Sequence, residues 1–267
     1  MKKLTVLFFL CIIPFIANAT ISEMSFGKWN IKFDDETKRA EFVKEGVTVL
    51  KDVKIKFKNG DVLLDASSYN SVKIKQEDIV DEVGKARKFT IEYTGSENSD
   101  NPIVYQNFYL YDGQDYFLTD VILQSPDNSI ISSNYIAPIS TEADNLFLPA
   151  DVNNRFITVP FDNDGFITYA SYPLSCSQTD PESLAIGRVA RDSVSMEVSA
   201  IFNGETQLGL VIGSVDHDTW KSAVRITGSP LAQGKITNLE CFSGVTHHIT
   251  RDMIDGVLKP HGAVKGQ

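Results

Sequence analysis

The sequence has few of the residues that build metal centres and disulfide frameworks, with three cysteines and four histidines among 267 residues. Cys176 and Cys241 are the two cysteines beyond the apolar amino terminus, which excludes a disulfide scaffold and leaves one bridge between them open. His247 and His248 would point to opposite faces of a strand, so they could not readily share one ion with His261. We therefore expect no metal site and no cofactor.

Catalytic signatures and basic clusters are also missing. The sequence contains no G-x-S-x-G nucleophile elbow and no H-E-x-x-H zinc helix. Its 25 Lys and Arg are outnumbered by 35 Asp and Glu, which gives a net charge of −10. Nucleic-acid binding relies on clustered basic side chains that neutralise phosphates, so we expect no nucleic-acid partner.

Long apolar runs are scarce apart from the first residues, MKKLTVLFFLCIIPFIANA. Lys2 and Lys3 precede an apolar run that ends at Ile16, and a small residue stands at Ala19. This layout is typical of a secretory signal peptide cleaved after Ala19, and the run is shorter than the roughly 20 residues that span a bilayer. We expect an exported protein, periplasmic or extracellular, with no integral membrane segment after cleavage and a single domain over residues 20–267.

Turn signals between alternating segments decide the fold class. Asn59-Gly60, Asp112-Gly113 and Asn203-Gly204 each separate two segments in which apolar and polar residues alternate, the signature of a β-hairpin. The sequence therefore predicts an all-β protein, a large antiparallel β-sandwich of the supersandwich type with little helix. Short helices are expected only over Thr250 to Leu258 and over HDTWKSAV, residues 217–224.

The stretch VPFDNDGFITYASYP contains the most compact acidic group, with Asp162, Asn163 and Asp164 followed by Gly165. A calcium loop of the EF-hand type is disfavoured, because the twelfth position counted from Asp162 is Pro173 where that motif needs Glu. The residue types suit a tight turn between strands. They also suit a loop whose carboxylates accept hydrogen bonds from sugar hydroxyls, and both interpretations stay open.

A second polar group lies in GSVDHDTWKSAVRI, where Asp216, His217, Asp218 and Trp220 stand close together. An Asp–His pair suits acid–base chemistry if a nucleophile is nearby, and Trp220 offers an aromatic surface to a sugar ring. The alternative is a strand end followed by a loop, with Trp220 in the core.

Three ordered segments carry a resemblance to a known family: NNRFITVPFDNDGFITYASYPL, SVSMEVSAIFNGETQLGLVIGSVDHDTWKSAVRI and VLKPHGAVKG. Together they resemble the amino-terminal region of bacterial α-galactosidase-like glycoside hydrolases, over about Leu146 to Gly266. The resemblance implies a large β-sandwich that precedes a (β/α)8 barrel. In such enzymes the barrel carries the two catalytic carboxylates, and a loop of the sandwich packs over the barrel mouth.

The resemblance implies which residues face the sugar. Asp162, Asn163 and Asp164 become the first group of substrate-binding candidates. The second, weaker group consists of His217, Asp218 and Trp220. A (β/α)8 barrel takes about 250 residues, and the sequence stops at Gln267, roughly where the barrel would begin. We therefore expect no catalytic residue in this chain. We also expect that the chain is truncated before the barrel or that the barrel is a separate chain.

The expected function is that of a non-catalytic sandwich domain. Its partners would be a galactoside ligand and a catalytic barrel, either covalently attached or on a separate chain. The first alternative is a free-standing exported carbohydrate-binding protein that uses Tyr and Trp to stack on sugar rings. The second is an exported structural or adhesion sandwich without a small ligand, associating through an exposed strand edge.

Overall fold

The structure is a computed structural model that describes residues 21–127, 130–142, 146–159, 170–174, 193–215, 221–228, 234–245 and 263–265. These ranges contain nineteen β-strands and one short 3₁₀ turn, Ala66–Ser68. Within them there is no helix long and apolar enough to cross a membrane. The prediction of an all-β protein with little helix is therefore confirmed.

In chain order the strands are β1 Ile21–Phe26, β2 Trp29–Asp34, β3 Arg39–Lys44, β4 Val47–Asn59, β5 Val62–Asp65, β6 Tyr69–Val80, β7 Lys85–Ser96, β8 Ile103–Tyr111, β9 Phe117–Gln124, β10 Ile130–Ser132, β11 Ile136–Glu142, β12 Asn154–Thr158, β13 Ala170–Pro173, β14 Ser193–Met196, β15 Val198–Asn203, β16 Gly209–Gly213, β17 Lys221–Gly228, β18 Ile236–Val245 and β19 Ala263–Lys265.

The strands form one long sheet and three smaller ones. The long sheet has nine strands in the order β1-β2-β3-β4-β11-β18-β17-β14, with β5 paired to β4. Two four-stranded sheets have the orders β6-β7-β8-β9 and β13-β12-β15-β16, and β10 pairs with β19. The neighbouring strands of the long sheet run antiparallel.

Aromatic side chains join the first half of the long sheet to the β6–β9 sheet. The ring of Phe42 on β3 lies 5.8 Å from that of Phe108 and 5.0 Å from that of Phe117. Phe33 on β2 makes a similar edge-to-face contact with Tyr93 at 6.1 Å. Such pairs contribute about 0.5–1.5 kcal/mol each beyond the burial of their surface. The two sheets therefore pack face to face as the layers of a sandwich.

The second half of the long sheet shares the same core with the other four-stranded sheet. Phe156 on β12 and Ile201 on β15 are fully buried in one cluster with Val224 on β17 and Leu239 on β18. The long sheet is thus one layer that spans two smaller sheets, which confirms the predicted large antiparallel sandwich.

The three predicted hairpins are present, and one of them turns a residue later than expected. β4 and β5 end with Asn59 opposite Val62, so the turn residues are Gly60 and Asp61 instead of Asn59 and Gly60. Gly60 has a φ of +60°, and a glycine in the first central position is typical of a type II′ turn. β8 pairs with β9 and β15 pairs with β16 around Asp112-Gly113 and Asn203-Gly204.

The predicted helix over residues 217–224 is wrong where the structure describes that segment. Residues 221–224 open strand β17, which pairs with β14 on one side and β18 on the other. Val224 and Ile226 are buried in the core, so pairing on both sides and burial of β-branched residues outweigh a weak helical pattern. The other predicted helix, Thr250 to Leu258, lies outside the described residues.

Of the two cysteines that could form a bridge, the structure describes Cys241. Cys241 on β18 is a free thiol whose side chain contacts the core. Burial, together with the neighbouring Glu240 carboxylate, raises the pKa of Cys241 to about 12. A thiol with so high a pKa is not a nucleophile at neutral pH, because the thiolate is the reactive form. Cys176 lies outside the described residues.

Candidate functional site

The six substrate-binding candidates all lie outside the described residues: Asp162, Asn163, Asp164, His217, Asp218, Trp220. The same holds for His247, His248 and His261. Their assignments remain predictions. The strands that flank the segments with these residues are described, however. They show from which part of the sandwich each segment starts.

The acidic stretch joins two neighbouring antiparallel strands. Thr158, the last residue of β12, is opposite Ala170, the first residue of β13, and Phe156 is opposite Tyr172. The chain therefore reverses direction between β12 and β13. The tight turn predicted at Asp162 to Gly165 lies between these two strands, outside the described residues, and stays a prediction.

The segment with Asp162 and the segment with His217 begin at the same place. Val159, which precedes the first, accepts a hydrogen bond from the Met196 amide at 2.8 Å. The next residue, Glu197, accepts one from the Ser214 amide at 2.8 Å, and its own amide donates to the Ser222 carbonyl at 2.9 Å. Ser214 and Ser222 lie on either side of residues 216–220. Both candidate groups are thus attached to one hydrogen-bonded cluster.

Hydroxyl groups extend this cluster to a third segment. The Ser222 hydroxyl lies 3.1 Å from that of Ser214 and 2.9 Å from that of Ser243. Lys221 is opposite Val245, after which residues 246–262 begin. We call this set the root cluster, and its members are Val159, Ser195, Met196, Glu197, Ser214, Ser222 and Ser243. Three separate segments, including the one with His247 and His248, start at this end of the sandwich.

The local sequence explains why the root cluster forms. Glu197 has a φ of +63° and separates β14 from β15, so the chain passes from the long sheet into the smaller one at this residue. The Ser195 hydroxyl accepts from the Val159 amide at 2.8 Å and donates to the Val198 carbonyl at 2.6 Å, which bridges the crossing. A Cβ on Gly213 would lie 2.8 Å from the Glu197 carbonyl oxygen, so this approach needs glycine.

A buried carboxylate lies on the outer face of the long sheet, in the half that contains β18, β17 and β14. Glu240 on β18 is 3% exposed. Its Oε2 accepts from Arg225 at 2.8 Å, and its Oε1 accepts from Lys56 at 3.3 Å and from the Ser140 hydroxyl at 3.2 Å. These partners come from β17, β4 and β11, so one side chain links four adjacent strands.

Aromatic and apolar side chains lie beside this carboxylate, and one of them, Met196, belongs to the root cluster. Phe242 packs with Ala223 and Met196 on the same outer face, and the Arg225 guanidinium lies 5.1 Å from the centre of the Phe242 ring. Burial and the nearby Glu240 carboxylate raise the pKa of Tyr135, which keeps its phenol neutral and able to donate a hydrogen bond. The side chains of this outer face therefore pack in a defined arrangement next to the root cluster.

The chemistry of this face is that of a structural ion network. Glu142 and Glu240 both contact the Lys56 ammonium, at 3.4 and 3.3 Å. Glycoside hydrolysis also uses two carboxylates, but one must carry a proton and the other must face the sugar or a water. Here each carboxylate is neutralised by cations, and Lys54 further lowers the pKa of Glu142. In the described part of the chain, no group of three or more His, Cys, Asp or Glu is placed to hold a metal ion.

Sequence reasoning did not find this network, because its members are far apart in the chain. Lys56 and Glu240 are separated by 184 positions. The one signal present in the sequence is the alternation of Lys54 and Lys56 with buried residues on β4, which predicts an outward-facing basic row without its acidic partners.

Comparison with known proteins gives a structural likeness and no sequence family. No protein-family model matches the chain, and no curated protein matches it. The fold is similar to that of the α-N-acetylgalactosaminidase NagBb from Bifidobacterium bifidum in its Gal-NHAc-DNJ complex, with a TM-score of 0.52 and 10% identity. The GalNAc complex of the same protein gives a TM-score of 0.47 and 12% identity.

The extent of this match is asymmetric. It covers 83% of this chain and 33% of NagBb, so the chain spans about a third of the length of that protein. At this level of identity the likeness establishes the fold alone.

Proposed function

We propose that this chain is the non-catalytic amino-terminal β-sandwich of an exported α-galactosidase-like glycoside hydrolase. The observation that carries the proposal is the match of 83% of the chain to a 33% portion of a glycoside hydrolase. A region of that size leaves room in the complete enzyme for a catalytic barrel. Export is inferred from the signal-like first 19 residues, MKKLTVLFFLCIIPFIANA.

The root cluster suggests what the domain contributes. Loops carried by a rigid scaffold commonly supply binding residues. Here the segments with Asp162 to Asp164 and with His217 to Trp220 start from one set of hydrogen bonds around Glu197. We propose that this end of the sandwich faces the mouth of the barrel, where the two segments contact the same α-galactoside.

The ion network on the adjacent face suits a positioning role. Glu240 links β4, β11, β17 and β18, so the sheet behind the loop segments is cross-linked perpendicular to its strands. A rigid support of this kind limits the entropy lost when the loops order around a ligand. The hydrolytic chemistry itself belongs to carboxylates of the barrel.

The proposal is tested by capturing the native protein from its own cells with an antibody against the sandwich. Intact-mass spectrometry and peptide sequencing then identify what is attached to it. We expect a (β/α)8 barrel, found either as a longer polypeptide or as a stoichiometric partner chain. Recovery of the mature chain alone, without a barrel in any fraction, would contradict the proposal and favour a free-standing protein.

A further inference from the structure

The outer face of the β6–β9 sheet combines aromatic rings with a fixed polar network, although no part of the proposed site uses it. The inner face of this sheet packs against the long sheet through Phe108 and Tyr93. The outer face is open to solvent, with Lys75 66% exposed in its side chain and Ile122 52% exposed. It lies in a different part of the fold from the root cluster.

The network runs across three strands. Thr90 on β7 donates to the Asn107 Oδ1 atom at 2.7 Å, and the Asn107 amide donates to Asp120 Oδ1 at 2.6 Å. The Tyr109 hydroxyl donates to Asp120 Oδ2 at 2.7 Å. Asn107 is 2% exposed even though it belongs to the outward row of its strand. Each group thus holds the next in one orientation.

This arrangement leaves hydrogen-bonding capacity for a ligand. A carboxylate has about four lone-pair sites, so each Asp120 oxygen can accept a second hydrogen bond beside the one from Asn107 or Tyr109. The Tyr109 hydroxyl, whose pKa is raised by burial and by its bond to Asp120, stays a neutral group that can also accept. Acceptors fixed before binding are suited to hydroxyl donors, because little side-chain entropy remains to be lost.

The tyrosines set the length of the ligand. Tyr105 and Tyr109 both lie on the outward row of β8, and Asn107 stands between them. Residues four apart on a strand are separated by about 13 Å. The Lys88 ammonium lies over the Tyr109 ring, 5.8 Å from its centre, so the ring face that it covers is not free for a sugar. A ligand that lies on the Tyr105 ring and reaches the Tyr109 hydroxyl must therefore be longer than one sugar ring. The C–H face of a pyranose packs on an aromatic ring while its hydroxyls reach the polar groups beside it.

The charges on this face favour a neutral ligand. Lys75 pairs with Glu92 at 2.7 Å, and Lys88 pairs with Glu77 at 3.3 Å. An open groove of about 350 Å³ runs beside these pairs, lined by Lys75, Gln76, Glu77, Lys88 and Thr90. Its volume lies at the lower end of the range of small-molecule sites. Because Lys75 and Lys88 are already paired with carboxylates, a strongly anionic ligand gains little from these two lysines.

We propose that the outer face of the β6–β9 sheet binds a neutral oligosaccharide, with Tyr105 as the stacking surface and with the Tyr109 hydroxyl and Asp120 as the hydrogen-bonding groups. This surface is distinct from the end that carries the root cluster. It would hold a polymeric or branched glycan beside the enzyme while the barrel removes a terminal sugar. The proposal does not depend on the presence of a barrel, because the isolated mature chain contains the whole surface.

The test titrates the mature chain with stachyose, cellohexaose and maltohexaose, with hexagalacturonate as an anionic comparison, and follows binding by calorimetry and ligand-observed NMR. We expect saturable binding of at least one neutral probe. Tyr105→Ala should weaken it about tenfold or more, as expected for the loss of a central aromatic contact. Tyr116→Ala is the matched control, because Tyr116 is 44% exposed on the loop after β8 and lies off the proposed surface.

Asp120→Asn provides a second variant that keeps the size of the side chain and removes its charge. It should weaken binding of the same probe. Circular dichroism and thermal unfolding check that Tyr105→Ala and Asp120→Asn both fold. Absence of binding of every neutral probe, equal binding by Tyr105→Ala and the unaltered chain, or tighter binding of hexagalacturonate would each overturn the proposal. Absence of oligosaccharide binding would not contradict the proposed association with a barrel. Absence of a barrel would not contradict oligosaccharide binding by this surface.

Discussion

The two halves of the sandwich are built from the chain in different ways. The β6–β9 sheet is a meander in which every strand pairs with its neighbour in sequence, in the order β6-β7-β8-β9. The central part of the long sheet has the order β4-β11-β18-β17, in which the pairs β4-β11 and β11-β18 join strands from distant parts of the chain. The first arrangement produces a regular, open face, whereas the second brings the starts of several chain segments to one end.

The largest expected effect tests whether these halves are one folding unit. Phe108 and Phe156 are both fully buried, one under each four-stranded sheet. Phe108→Ala and Phe156→Ala should each lower the free energy of unfolding by about 3–5 kcal/mol, the usual cost of such a cavity. Because both residues belong to one core cluster, urea unfolding should remain a single transition. Two separated transitions in either variant would show that the halves unfold independently.

The next largest effect tests whether the ion network around Glu240 stabilises the second half of the sandwich. Glu240→Ala removes the carboxylate shared by Arg225 and Lys56 and should cost about 2–3 kcal/mol, less than for a fully buried pair because Arg225 is partly exposed. Glu142→Ala is the control, since its side chain is 56% exposed. Its cost should stay below about 1 kcal/mol. Equal costs for the two variants in urea unfolding would refute the structural role of Glu240.

A smaller effect concerns the crossing at the root cluster. Gly213→Ala places a Cβ 2.8 Å from the Glu197 carbonyl oxygen and should destabilise the chain by about 1–3 kcal/mol. Gly204→Ala is the matched control, because its Cβ would come no closer than 3.3 Å to Arg155 Cδ and 3.5 Å to the Asn153 carbonyl oxygen. Thermal unfolding compares the two variants. If Gly213→Ala is as stable as Gly204→Ala, the close approach at Glu197 is not a constraint.

The smallest effect lies at the surface of the first half. The ammonium groups of Lys28 and Lys44, each 2.8 Å away, lower the pKa of Asp115 to about 2. A carboxyl group with a depressed pKa stabilises the fold above its ordinary pKa, and this contribution is lost as the pH falls toward 2. An NMR titration of the Asp115 carboxyl should therefore show a midpoint near pH 2, moving upward in Lys44→Gln. A midpoint near the ordinary value of 3.8 would contradict the ion pairs.

The sequence predicted the local features of this fold and missed those that depend on distant pairing. Hairpins at Gly60, Gly113 and Gly204 follow from turn chemistry and alternation within a few residues, and they define the antiparallel class. The one-residue shift at Gly60 arose because the pairing of Asn59 with Val62 selects the turn type. Strand β17 was missed in part because it is stabilised by pairing on both sides, and one of its partners, β14, is not adjacent to it in the chain.

The candidate site shows the same division. Residue types alone drew attention to the Asp162 and His217 groups, but they gave no sign that Val159, Glu197 and Ser222 join the starts of both segments. The network around Asn107 and Asp120 was also missed, because its members are ordinary strand residues without a motif. Their significance comes from register, which places Asn107 opposite both Thr90 and Asp120.

The central claim, that this sandwich belongs to a glycoside hydrolase, is tested most directly by an activity measurement on the native protein. Hydrolysis of p-nitrophenyl α-galactoside and of its α-N-acetylgalactosaminide counterpart is compared between the species captured from native cells and the isolated mature chain. We predict hydrolysis of at least one substrate by the captured species and none by the isolated chain. Absence of hydrolysis by both, with the captured protein folded, would contradict the claim, and turnover by the isolated chain would contradict its non-catalytic role.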